Sequence, residues 1–126
     1  MQNILITAIG SISALGNNAS EIWENYQGNT TLISDCCLND GDVKVGKLSA
    51  DSESLVKELR KEKIAFRKLD KSVIMSMIAS RKAVKNAGWK RIENTAINIG
   101  SSRGATALFE KYHKHFLQSD KRLSPL

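Results

Sequence analysis

Residues 70–87 constrain this chain more than any other stretch. Between Asp70 and the closing Gly88 runs a segment with almost no charge from Ser72 to Ser80. Leu69, Val73, Met77 and Val84 fall on one helical face, and Ile74 and Ile78 widen it. Ser72, Ser76 and Ser80 form one row of small residues four apart, and Ala79, Ala83 and Ala87 form another. Small rows let a second backbone approach closely, so a helix buried between layers is expected. At about 1.5 Å per residue it would be roughly 27 Å long, enough to cross a small domain. A basic cluster, Phe66-Arg67-Lys68-Leu69-Asp70-Lys71, leads into it.

The flanks supply elements for this helix to pack on. Ile4-Leu5-Ile6-Thr7-Ala8-Ile9 and Thr95-Ala96-Ile97-Asn98-Ile99 are apolar, β-branched runs of the kind covered on both faces in a parallel sheet. Asn18 with Glu21 resembles a capping box, and a helix over 19–27 carries Ile22, Trp23 and Tyr26 on one side before Gly28. Residues 29–42 read as a polar loop with turn chemistry at Asn39-Asp40-Gly41-Asp42. Val43-Lys44-Val45-Gly46-Lys47-Leu48 alternates like an edge strand protected by lysines. Asp51 is expected to cap a helix reaching Arg60. Gly100-Ser101-Ser102-Arg103-Gly104 turns into a helix ending near Leu117. This alternation predicts an α/β layer structure with parallel pairing. Two such strands are too few to complete a sheet, so the segment reads as the first half of a larger arrangement.

At 126 residues the chain is one domain by length and can bury a core. No apolar run approaches a membrane span, and the start lacks the basic region of a signal peptide, so a cytoplasmic location is expected. The net charge of +6 favours an acidic partner: nucleic acid, an acidic protein or an anionic ligand. Lys57, Arg60, Lys61, Lys63, Arg67, Lys68 and Lys71 outweigh Glu58, Glu62 and Asp70 in one stretch. A solvated helix face is the ordinary meaning of such a run. Nucleic-acid binding would want interleaved aromatics or a known module, and Phe66 alone does not supply them. An acidic protein fits better.

Other chemistry finds little support. Gly10-Ser11-Ile12-Ser13-Ala14-Leu15-Gly16 lacks the glycine spacing of a dinucleotide fingerprint and the lysine of a P-loop. Cys36 and Cys37 are adjacent, which fits neither a disulfide framework nor a metal set, so two reduced thiols are expected. His113 and His115 diverge by about 200° on a helix, whereas zinc pairs sit four apart. The turn at residues 100–104 could face an anion with its backbone N–H groups, or could need glycine only for its backbone angles. No metal or other cofactor is expected.

Together these pieces resemble one family. The opening Ile4-Leu5-Ile6-Thr7-Ala8-Ile9-Gly10-Ser11-Ile12-Ser13-Ala14-Leu15-Gly16-Asn17, the helix with Trp23 before Gly28, and the basic entry to the alanine-rich helix resemble β-ketoacyl-acyl-carrier-protein synthases. So do Ile97-Asn98-Ile99-Gly100-Ser101-Ser102-Arg103-Gly104-Ala105 and Leu123-Ser124-Pro125-Leu126, and the match runs in order over almost the whole chain. The resemblance implies a partial thiolase-like fold over 1–126, with layered helices on a mostly parallel sheet. It implies a decarboxylative Claisen condensation on acyl groups held by acyl carrier protein, in a homodimer.

In the family the nucleophilic cysteine and two histidines lie beyond the Ser-Pro segment. Cys36, Cys37, His113 and His115 fall outside those motifs, so the segment alone is expected to be inactive. Acyl transfer needs an activated nucleophile and an oxyanion hole. By the resemblance, Arg67 and Lys68 belong to the carrier-protein docking surface. Arg103 falls near the acyl-chain pocket at a position often aliphatic in fatty-acid synthases, which implies a different acyl class, such as an aryl-polyene or pigment pathway, or a different loop conformation. A non-catalytic module for an acidic partner is the alternative. Uncovered apolar faces would favour self-association; no nucleic acid or membrane partner is expected.

Overall fold

The computed structural model describes residues 3–38 and 41–118. The Leu123-Ser124-Pro125-Leu126 motif and the turn residues Asn39 and Asp40 lie outside the described residues. The elements in order are α1 (Ala19–Gln27), β1 (Ile33–Leu38), β2 (Gly41–Gly46), α2 (Ala50–Glu62), a 3₁₀ helix (Ile64–Lys68), α3 (Lys71–Asn86) and α4 (Thr106–Gln118).

The core lies between α2 and α3. Val56 and Leu59 of α2 are buried with Ile74 and Ile78 of α3, and Ile12, Leu48, Phe66, Leu69 and Met77 pack partly buried around them. Each fully buried aliphatic side chain contributes roughly 1.5–3 kcal/mol relative to its exposed state. Helix α2 starts at Ser49 rather than Asp51: the Ser49 hydroxyl oxygen accepts from the Ser52 N–H at 3.3 Å. Asp51 and Glu53 occupy its first turn and Arg60 and Lys61 its last, where their charges oppose the helix dipole. Arg81 of α3 holds Glu62 of α2 through two hydrogen bonds, at 2.6 and 2.9 Å. Lys71 pairs with Glu53 across the same junction. These pairs are well exposed, so they fix register more than they stabilise.

Helix α3 begins at its Asp70 cap and gives way to Gly88 at φ 68°, as its sequence requires. One of its small rows does what the spacing predicts. Gly10 lies so close to α3 that an added Cβ would sit 2.1 Å from the Ala79 carbonyl oxygen and 2.6 Å from the Ala83 nitrogen. Asn86 donates to the Ile9 carbonyl at 3.1 Å, and Lys82 donates to both oxygens of Asn17. The serine row is different. Ser72, Ser76 and Ser80 are exposed, so α3 is covered on one side only, not sandwiched between layers.

The sheet is also a correction. The expected parallel sheet is not formed: residues 4–9 and 95–99 form no strand, and Ile4 and Ile97 are 96% and 81% exposed. A parallel strand buried on both faces needs neighbours to cover it, and the described residues place none beside these runs. The sheet that does form is an antiparallel hairpin of β1 and β2, with Ile33 opposite Gly46 and Leu38 opposite Gly41. Its second strand is the expected edge strand shifted two residues earlier. Its first strand lies in the stretch expected to be loop, because Ile33-Ser34-Asp35-Cys36-Cys37-Leu38 carries no alternating pattern. Helix α1 matches its expected bounds. The Asn18 side chain accepts from the Glu21 N–H at 3.0 Å, and Glu21 Oε2 returns to the Asn17 N–H at 2.9 Å.

Candidate functional site

The basic entrance is built by the break between α2 and α3. Lys63 leaves the helical conformation at φ −140° and ψ 144°, and the 3₁₀ helix turns the chain. Phe66 anchors the turn, half-buried, with the Lys63 ammonium 5.5 Å from its ring centre. Leu69 packs on the same core, and Arg67 and Lys68 point outward, exposed.

The seven basic residues of the run do not behave alike. Arg60 turns inward and donates to the Leu69 carbonyl at 3.2 Å, with its Nε buried and without a partner among the described residues. Lys71 is held by Glu53. Lys57, Lys61, Arg67 and Lys68 are exposed and make no ion pair among the described residues. Glu62, just before the turn, is taken by Arg81, whose hydrogen bonds hold its carboxyl below the usual range. The exposed cations outnumber Glu58, the exposed acid of the run that pairs with none of them, so the surface is net positive, the condition for steering an acidic partner.

Asp70 sits at the inner edge of this entrance and reaches a second element. Its Oδ1 accepts from the Ser72 N–H at 3.0 Å and from the Ser72 hydroxyl at 2.9 Å. Its Oδ2 accepts from the Ala107 N–H of α4 at 3.1 Å. The Ser72 backbone bond, opposed by partial burial and aided by the hydroxyl and the Ala107 and Leu108 N–H groups, holds this carboxyl below its ordinary value. The turn before α4 is brought alongside, with the Gly104 carbonyl 3.5 Å from the Ser72 hydroxyl oxygen. Gly104 takes φ 62°, and its N–H donates to Ser101 Oγ at 2.8 Å. Arg103, in that turn, is exposed. Sequence reasoning missed the role of Asp70 toward α4, because its partner lies 37 residues away.

A second concave feature escaped sequence reasoning. A cleft of about 580 Å³ opens between residues 9–11, α1 and α3, walled by Ile9, Ile22, Trp23 and Tyr26 and flanked by Lys82 and Lys85. Trp23 and Tyr26 stack with ring centres 6.1 Å apart. Burial pushes the Lys82 amine down, against the opposing pull of Glu21. Arg67, Lys68 and Arg103 take no part in this cleft. Cys36 and Cys37 are free thiols on β1, and a hydrogen bond with Asp42 raises the pKa of Cys37, which keeps it protonated and a poor nucleophile. His113 stacks on Phe109. Among the described residues no helix is long and apolar enough to cross a membrane.

Comparison with known proteins bears on this arrangement. The chain is 29% identical over 129 residues to 3-oxoacyl-[acyl-carrier-protein] synthase 2 of Staphylococcus aureus strain COL, covering 98% of this chain and 31% of the relative. The same-named protein of strain MRSA252 is 29% identical over 127 residues, 97% of this chain and 31% of the relative. The chain is similar to a segment of a β-ketoacyl-acyl-carrier-protein synthase. Nodulation protein E of Rhizobium leguminosarum bv. trifolii is 26% identical over 105 residues, 82% of this chain and 25% of that protein. The chain therefore spans about a third of the length of the synthases it matches. No family model matches the chain. No solved structure matches it.

Proposed function

We propose that this chain is the N-terminal segment of a β-ketoacyl-acyl-carrier-protein synthase and that Arg67 and Lys68 meet the acyl carrier protein. The single observation that carries the reading is the charge arrangement at the entrance. Two exposed cations at one turn, with Arg60 and Lys71 already engaged, leave a small positive face for an acidic surface. The similarity to synthases supports the choice of carrier protein as that partner. The whole enzyme would join acyl groups by decarboxylative Claisen condensation, in fatty-acid or polyketide-type synthesis. Its nucleophile and oxyanion hole would come from chain beyond this segment, so the segment by itself docks and does not condense. Arg103 would border the acyl-chain pocket and favour an acyl class other than simple saturated chains. The fold of the whole would be thiolase-like, with residues 4–9 and 95–99 as adjoining strands of a parallel sheet.

Titration of fluorescently labelled carrier protein tests the docking claim. Binding by the wild-type chain should weaken at least tenfold in an Arg67→Glu/Lys68→Glu variant and fall as salt rises. Equal binding by both chains, or none by either, overturns it. Light scattering on size-exclusion fractions tests the open apolar runs: self-association is expected, and a clean monomer contradicts it.

A further inference from the structure

We propose that Asp70 is a positioning residue: one carboxylate caps α3 and α4 together and so holds the Arg103-bearing turn against the Arg67–Lys68 entrance. An N-cap is normally a local device, in which a side chain serves the helix that begins just after it. Helix α4 has no such residue of its own. The Ala105 carbonyl accepts from the Phe109 N–H at 3.0 Å, which makes Ala105 the capping position, and alanine offers no acceptor side chain. The acceptor comes instead from Asp70, through the oxygen that its own helix leaves free. No residue of α4 is buried, so little packing fixes where the helix starts. The Ser72 hydroxyl beside Gly104 adds a second contact at the same junction.

The geometry has a functional consequence that rests on the carrier-docking reading. Arg67 and Lys68 lie three and two residues before Asp70, and Arg103 lies three before Thr106, the first residue of α4. A contact that locks the two helix starts together sets the spacing between a docking surface and a residue placed near the acyl group. Asp70 touches neither partner and acts through both helices.

Asparagine separates the two caps. Its one carbonyl oxygen can still cap α3, while its amide NH₂ can only donate where Ala107 needs an acceptor. Amide hydrogen exchange on the 126-residue chain should show Ala107 at least tenfold faster in Asp70→Asn, with Ile74 and Ile78 changed less than twofold. Asp70→Ala should release the α3 start as well. In the wild type, the Ser72 and Ala107 amide shifts should follow one common titration midpoint, a signature a simple α3 cap would not give. Unchanged exchange at Ala107, an equal rise throughout α3, or two separate midpoints overturns the proposal. None of these readouts needs carrier protein. Loss of docking in the titration above therefore leaves this test intact, and failure here leaves the docking claim standing.

Discussion

The α2–α3 pair and the two β-branched runs have the same hydrophobic chemistry and opposite fates. In the pair, Val56, Leu59, Ile74 and Ile78 find one another across a short connection and are buried. In the runs, Ile4, Ile6, Ile97 and Ile99 stay open to solvent. The difference is one of partners. Each helix satisfies its own backbone and needs only one apolar face covered, which a neighbouring helix can do. A strand needs hydrogen-bonding neighbours at its edges and layers on both faces, and a segment about a third the length of its relatives supplies too few. The α2–α3 pair keeps its order because each helix finds the one apolar face it needs on its neighbour.

The largest effect should come from cutting the closed half of this comparison and leaving the open half as control. Ile74→Ala should lose about 2–5 kcal/mol in urea unfolding. Ile97→Ala should stay within about 0.5 kcal/mol. Equal losses would mean that the run at 95–99 is packed in solution and the contrast is wrong. Next is the place where the two halves touch. Gly10→Ala forces a Cβ into the α3 backbone and should lose about 1–3 kcal/mol, with Ile9 and Gly10 lifting from Ala79. A neutral Gly10→Ala would show that residues 3–10 do not rest on the helix. The smallest effect is acid sensitivity. Glu62 and Asp70 have depressed carboxyl pKa values in the fold. The stability they lend is complete above the unfolded values, near pH 4, and is lost as pH falls through the lower folded ones. The urea midpoint should hold from pH 7 to 5 and drop modestly by pH 3, less so in a Glu62→Gln/Asp70→Asn variant. A drop already between pH 7 and 5 would point to other groups.

What was legible in the sequence follows the same division. The bounds of α1 and, to within one residue at each end, of α3, the Asn18 cap, and the close approach permitted by Ala79 and Ala83 depend on neighbours in sequence or on residue size, and each was readable. The apolar character of 4–9 and 95–99 was readable too, but it states how much cover a strand requires, not whether that cover is at hand. Strand β1 was not readable, because its Ser, Asp and paired Cys residues give no period-2 signal and only the turn after it hinted at a hairpin. The cap at Ser49 was obscured by Asp51, an equally good capping residue that instead occupies the first turn. The entrance could be located from charge alone. Which of its cations are committed elsewhere, as Arg60 and Lys71 are, depends on tertiary contacts that composition cannot show.

The serine row of α3 has a consequence for how a larger assembly could close over it. Ser76 donates its hydroxyl to the Val73 carbonyl and Ser80 to the Ser76 carbonyl, both at 2.8 Å. These two side chains keep their protons occupied within their own helix, so a dry surface laid against them would strand no donor. By formula the face is polar, yet toward an incoming layer it is a smooth, nearly inert wall, wet only until something arrives to cover it.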